Sequence, residues 1–180
     1  MEEKNKIIKI AVTGPESSGK SFTSEYLARV FDGWLVPEFA REYLNHLDRD
    51  YNYQDILNIA NGQIDVEKKI TADAIKEEVD IILFDTELIN TKIWAEEKYQ
   101  KCENFIIKAI EESDYDHYLL MQPDIDWESD EQRENPDDRD RLFQLYIEHL
   151  NTYEKSYTIV QGGLEERLKL VNGVVKTFIL

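Results

Sequence analysis

Cysteine, proline and glycine are all scarce in this chain, with one, four and seven residues in 180, and basic side chains are few beside the acidic ones. Each shortage excludes something. A lone Cys102 cannot close an internal disulfide or build a cysteine metal cluster, which fits a reducing compartment. With 21 Lys and Arg against 38 Asp and Glu, the formal net charge is −17. Such a chain repels a phosphate backbone, so DNA and RNA are not expected partners. Apolar runs are no longer than strands, so neither a secretory leader nor a membrane span is expected, and the expected location is the cytoplasm. The length suits a single domain over residues 1–180 with one core. His46, His117 and His149 have no metal-ligand spacing, and no repeat or low-complexity tract interrupts the chain.

Two of the few glycines fall in Gly14-Pro15-Glu16-Ser17-Ser18-Gly19-Lys20-Ser21, which fits the phosphate-loop pattern G-x-x-x-x-G-K-[ST] without mismatch. Such a loop turns successive backbone N–H groups toward a β-phosphate. Lys20 adds a point charge across the β- and γ-phosphates, and Ser21 presents a hydroxyl to Mg²⁺ at a helix N-terminus. The flanks agree, because residues 7–13 read as a buried parallel strand, and Phe22, Tyr26, Leu27, Val30 and Phe31 recur at helical spacing until Asp32-Gly33. Gly14, Glu16, Ser17, Ser18, Gly19, Lys20, Ser21 and Phe22 are the expected ATP contacts, with Lys20 also catalytic.

Further along, Trp34-Leu35-Val36 reads as a strand leaving the sheet at Pro37. Ligands of open parallel sheets sit beyond the carboxyl ends of strands, which places Glu38 and Arg41 near the loop. Glu38 there either grips a substrate hydroxyl or caps a helix. Residues 53–79 read as a helix broken by Gly62-Gln63, where the backbone approaches a ligand or the helix is merely weak, and Gln63 is a candidate substrate contact. The strand 81–85 ends in Asp85, suited to hold Mg²⁺ or to accept the substrate's proton, with helix capping as the alternative.

After a strand at 115–121, residues 123–141 are dense in charge and read as a lid. Arg133 and Arg139 are its candidates for neutralising the transferring phosphoryl group, and Arg141 reads as a surface residue. Asn135-Pro136 reads as the start of the next helix. Trp127, flanked by Asp126 and Glu128, suits a cationic ring in the substrate or anchors the lid. A strand at 157–160 precedes Gln161-Gly162-Gly163, either a loop against adenine or an ordinary turn, and an amphipathic end.

The whole set resembles the ribosylnicotinamide kinase domain of NadR-type proteins. The resemblance rests on the loop with its Pro15-Glu16-Ser17-Ser18 filling, Val36-Pro37-Glu38-Phe39-Ala40-Arg41-Glu42, Ile59-Ala60-Asn61-Gly62-Gln63 and Phe84-Asp85-Thr86-Glu87. It continues through Pro123-Asp124-Ile125-Asp126-Trp127 and the spaced Asp130, Arg133, Pro136, Arg139 and Leu142. Glu87 and Glu131 depart from the aspartate and glycine common in that family. The expected fold is a three-layer α/β phosphate-loop kinase with a mainly parallel five-stranded sheet and a charged lid. The resemblance implies phosphoryl transfer from ATP, with Mg²⁺, to the ribose 5′-hydroxyl of nicotinamide riboside, by a chain without the nucleotidyltransferase and DNA-binding domains of fuller NadR proteins. Rival expectations are a kinase of another nucleoside or nucleotide, and an ATP-binding regulatory module without turnover.

Overall fold

In a computed structural model, residues 6–130, 134 and 137–179 are described. The order of elements is β1 (Ile8–Thr13), α1 (Lys20–Val30), β2 (Trp34–Val36), α2 (Phe39–Asn45), α3 (Tyr53–Lys76) and β3 (Ile81–Asp85). Then follow α4 (Leu88–Tyr99), α5 (Asn104–Glu112), β4 (His117–Met121), α6 (Arg139–Thr152), β5 (Tyr157–Val160) and α7 (Leu164–Ile179). The strands form one sheet in the order β2-β3-β1-β4-β5, and every pairing is parallel. The fold is therefore the expected three-layer α/β arrangement.

Alternating side chains of the central strands build two cores. Ala11, Ile82, Phe84 and Leu120 pack with Ala60 of α3, Ile89 and Ile93 of α4, Ile106 and Ile110 of α5, and Phe143 and Tyr146 of α6. Ile10, Val12, Leu83 and Leu119 face the other way, onto Leu27 of α1 and Val171 and Val175 of α7. Because both faces are covered, β3 and β4 are buried throughout, which explains the apolar runs at 81–84 and 118–121. The order in which strands are added reverses at β1, whose neighbours are β3 and β4, so the loop after β1 opens at the switch point of the sheet.

Three boundaries differ from expectation. The third helix stops at Lys76, and β4 starts at His117 because the Tyr115 ring packs edge-on between Phe84 and Tyr118. The sixth helix starts at Arg139 with Asp138 in the capping position, not at Asn135-Pro136, which lie outside the described residues. Asp138 makes no side-chain cap because its carboxylate is taken by Arg141.

Candidate active site

The phosphate loop joins β1 to α1, and its shape is set by Gly14 at φ 137° and Gly19 at φ 88°. A Cβ on Gly14 would stand 2.6 Å from the Met121 carbonyl, so only glycine lets the loop leave β1 against the end of β4. Ser18 Oγ donates to the Pro15 carbonyl at 2.7 Å, and the Lys20 ammonium donates to the same carbonyl at 2.8 Å. These bonds close the loop under the first turn of α1.

Register brings Asp85 to this loop, because Val12 pairs with Asp85 across β1 and β3. The chain leaves the sheet immediately afterwards, through Thr86 at φ 73°, an uncommon conformation for a β-branched residue, with its N–H donating to the Val12 carbonyl at 2.9 Å. Asp85 is buried against the Ser21 hydroxyl, and its Oδ1 has no hydrogen-bond partner among the described residues. Burial raises its pKa above the usual carboxylate value, against the pull of Ser21 and Lys20. Asp85 does not cap the following helix. Glu87 does so, accepting from Ile89 N–H at 2.7 Å while its other oxygen accepts from the Thr13 hydroxyl at 2.9 Å. Burial pushes Glu87 up to about 7.

Glu38 stands at the N-terminal position of α2 but makes no side-chain cap, and its carboxyl lies in the cleft with Lys20, Arg41 and Asp85 as its charged neighbours. Burial is the main cause that raises its pKa, with Lys20 opposing. Arg41 pairs with Asp130 of the lid at 2.9 Å.

The lid lies across the loop. Glu128 N–H donates to Ser17 Oγ at 2.9 Å and Glu134 N–H donates to Glu16 at 3.0 Å. Arg139 donates to the Ser17 carbonyl at 3.0 Å and to the Ile125 carbonyl at 3.1 Å, with its guanidinium 5.5 Å from the centre of the Trp127 ring. Arg139 is thus a tie between lid and loop, with its donors, among the described residues, on carbonyls and not on acids. Trp127 stacks on that tie and is not part of the cleft wall, so the lid-anchor reading is the one the geometry fits. Arg141 pairs with Glu97 and Asp138 at the surface, as expected of it. Arg133 lies outside the described residues.

Two positions do other work than the sequence suggested. A Cβ on Gly62 would fall 2.0 Å from the Phe39 ring, so the glycine admits a side chain of α2 and not a ligand. Gln63 is buried, and both ends of its amide are used within the protein: Oε1 accepts from Phe39 N–H at 2.9 Å and Nε2 donates to Glu67 at 3.0 Å.

One cleft of about 1290 Å³ runs past the phosphate loop in both directions. Toward α7 its wall is Phe22, Ile125, Leu164 and Leu168, and three of these are large apolar side chains left exposed. Arg167, which sequence reasoning missed, forms the floor there. Buried at 5% exposure, it donates to the carbonyls of Ser18 at 2.8 Å, Gly162 at 2.9 Å and Gln122 at 2.7 Å, and to the Asp124 carboxylate. Asp124 in turn accepts from Gly162 N–H at 2.7 Å. Toward α4 the wall is Tyr51, Asn90, Trp94 and Tyr146. Trp94 meets Tyr51 edge-on, 4.9 Å between centres, and its indole N–H donates to the Tyr51 hydroxyl at 2.9 Å. The loop carrying Tyr51 is held by Asp55, which caps α3 and pairs with Arg49, and that guanidinium keeps Asp55 well below the usual carboxylate range.

Comparison with known proteins agrees with this fold. The chain is 29% identical over 148 residues to the trifunctional NAD biosynthesis/regulator protein NadR of Escherichia coli (strain K12), covering 78% of this chain and 35% of the relative. With NadR of Salmonella typhimurium the identity is 29% over 126 residues, covering 67% and 30%. The chain spans about a third of the length of these relatives. A crystal structure of NadR in complex with NAD and AMP-PNP superposes with a TM-score of 0.76 at 20% identity, over 97% of this chain and 50% of that one. A deoxyadenosine kinase from M. mycoides with bound dATP superposes with a TM-score of 0.58 at 16% identity, over 94% and 99%. Residues 9–167 match the family model AAA_28, described as an AAA domain, and the chain belongs to that family.

Proposed function

We propose that this protein transfers the γ-phosphoryl group of ATP to the ribose 5′-hydroxyl of nicotinamide riboside, giving nicotinamide mononucleotide. The observation that carries this reading is one continuous cleft, with an apolar base-sized end beside α7, the phosphate loop at its middle, and Glu38 sharing it with an aromatic end at Tyr51 and Trp94. Solved NadR structures with nicotinamide riboside and with AMP-PNP, and the kinase with dATP, support a donor and an acceptor in such a cleft.

In this reading the donor base lies among Phe22, Ile125 and Leu164, and the phosphates cross the loop amides, where Lys20 exchanges the Pro15 carbonyl for phosphate oxygens. Ser21 and the unpartnered Oδ1 of Asp85 fit a hard, oxygen-seeking cation held largely by phosphate and water. Held by Ser21 and Asp85, Mg²⁺ would supply neutralisation of charge on the transferring phosphoryl group. Glu38, raised by burial, accepts the proton of the attacking hydroxyl, while Asp85 stays with the metal. Lid ties from Arg139 and Arg41 keep water from the reacting phosphoryl, and Arg133 is retained from the sequence as the lid cation for its charge.

At the acceptor end, Arg49 pairs with Asp55, Arg41 with Asp130 and Lys98 with Glu134, which favours an uncharged ribose hydroxyl arm over an acceptor bearing phosphate. The Trp94 ring favours a cationic pyridinium over a neutral base, whereas the Tyr51 ring already carries the Lys98 ammonium 3.9 Å from its centre. ADP release is measured with nicotinamide riboside, uridine, adenosine, thymidine monophosphate and no acceptor. The reading requires the first to give the highest kcat/KM. Equal turnover of uridine removes the assigned acceptor, and no acceptor-dependent release removes the kinase.

A further inference from the structure

Glu38 is an unusual residue for its position. It opens α2 without bonding any N–H of that helix, so something else must satisfy the first donor and fix the direction in which the carboxylate leaves the backbone. Gln63, a helix away on α3, does this. Its Oε1 takes Phe39 N–H, the peptide directly after Glu38, at 2.9 Å. Its Nε2 donates to Glu67 at 3.0 Å, and Glu67 is fixed from the other side by the Tyr115 hydroxyl at 2.7 Å. The chain of bonds therefore runs from Tyr115, just ahead of β4, through α3 to the peptide bond between Glu38 and Phe39. Next to Gln63, the missing Cβ of Gly62 lets the Phe39 ring lie on the α3 backbone, where an added carbon would stand 2.0 Å from the ring.

We infer that Gly62 and Gln63 are positioning residues for Glu38: the glycine seats the Phe39 ring, the glutamine holds the Phe39 peptide, and together they aim the Glu38 carboxylate at the acceptor hydroxyl. This rests on the kinase reading above, with Glu38 as the base. Neither residue touches donor or acceptor. The device releases Glu38 from capping duty and confines its backbone, and misplacement of a reacting group by about 1 Å costs on the order of 10²-fold in rate.

The test compares wild type, Gln63→Met, Gln63→Glu, Gly62→Ala and Gly62→Ala with Phe39→Ala, reading kcat, KM for nicotinamide riboside, Kd for Mg·ADP and thermal midpoint for each. Gln63→Met fills the same space without either bond and should lower kcat by ~10-fold or more while Kd for Mg·ADP changes less than about twofold. Gln63→Glu keeps an oxygen for the Phe39 N–H but replaces the donor to Glu67 with a second carboxyl, so it should recover only part of that loss. Gly62→Ala should lose kcat in the same way, and removal of the Phe39 ring should restore part of it. An unchanged kcat in both Gln63→Met and Gly62→Ala overturns the inference. So does a parallel loss of nucleotide affinity, which marks general loosening. If Gln63→Met does not fold, the Gly62→Ala and double-variant pair decides alone. A wild type that turns over no acceptor removes the reaction itself, a result distinct from all of these.

Discussion

Arg167→Met keeps the aliphatic stem and deletes the guanidinium that joins four segments under the donor end of the cleft. Three carbonyls, those of Ser18, Gly162 and Gln122, lose a charged donor, and Asp124 loses its partner. Hydrogen bonds to a charged group contribute ~1.5–3 kcal/mol each, and breaking a buried pair by removing one partner costs ~3–5 kcal/mol. The Asp124 side chain is 29% exposed and can be rehydrated, so the lower end applies and the expected destabilisation is ~3 kcal/mol. For a chain of this size each kcal/mol moves Tm by ~2–4 °C, which gives a fall of ~6–12 °C in a thermal melt. Because the Ser18 carbonyl belongs to the phosphate loop, Mg·ADP should also raise the Tm of the variant less than that of the wild type. A fall below ~2 °C with an undiminished response to Mg·ADP would refute the reasoning, and would mean that water replaces the guanidinium without loss.

Lys20→Ala should lower kcat by ~10²-fold or more, the scale of electrostatic transition-state groups, and steady-state kinetics beside a melt separates that loss from one of stability. For Glu38, burial holds the pKa above the ordinary 4.5, and a base works only when ionised. The kcat/KM profile should therefore rise with pH through that raised value and flatten above it. Glu38→Gln should lower kcat by ~10²–10⁴-fold and abolish the limb; an acidic limb that persists would transfer the base to Asp85, which burial also raises. Trp94→Ala should erase the preference for nicotinamide riboside over uridine, whereas Trp127→Ala, by loosening Arg139, should raise KM for ATP and leave the preference intact; the reverse pattern in paired kcat/KM measurements would return the acceptor to Trp127.

Local order explains what could be read from the sequence. Strand, loop and helix from Ile8 to Val30 are contiguous, so pattern and motif coincide on one stretch. Asp85 and Glu38 were legible because parallel strands deliver their carboxyl ends to one edge, and the register of Val12 with Asp85 is the outcome of that rule. Arg167 was not legible. It bonds the loop from 149 residues away, and on sequence it is one more charged residue of an amphipathic helix. Trp94 sits at helical spacing on α4, where an aromatic residue reads as core, and only the fold sets it against Tyr51. Gln63 was read as a ligand contact because a polar residue beside a mid-helix glycine signals a close approach; the approach is real, but it is by Phe39. The fifth helix could have been found, since Phe105, Ile106, Ala109 and Ile110 repeat at helical spacing.

The central claim is tested most directly by following the γ-phosphoryl group itself. Protein, Mg²⁺, nicotinamide riboside and γ-labelled ATP are incubated together, and the labelled product is identified by mass and by phosphorus–proton coupling. The account predicts that label appears in a 5′-monophosphate of nicotinamide riboside in step with ADP, and that Lys20→Ala forms little of it. Label found only in inorganic phosphate, or on a ribose position other than the 5′-oxygen, would contradict it.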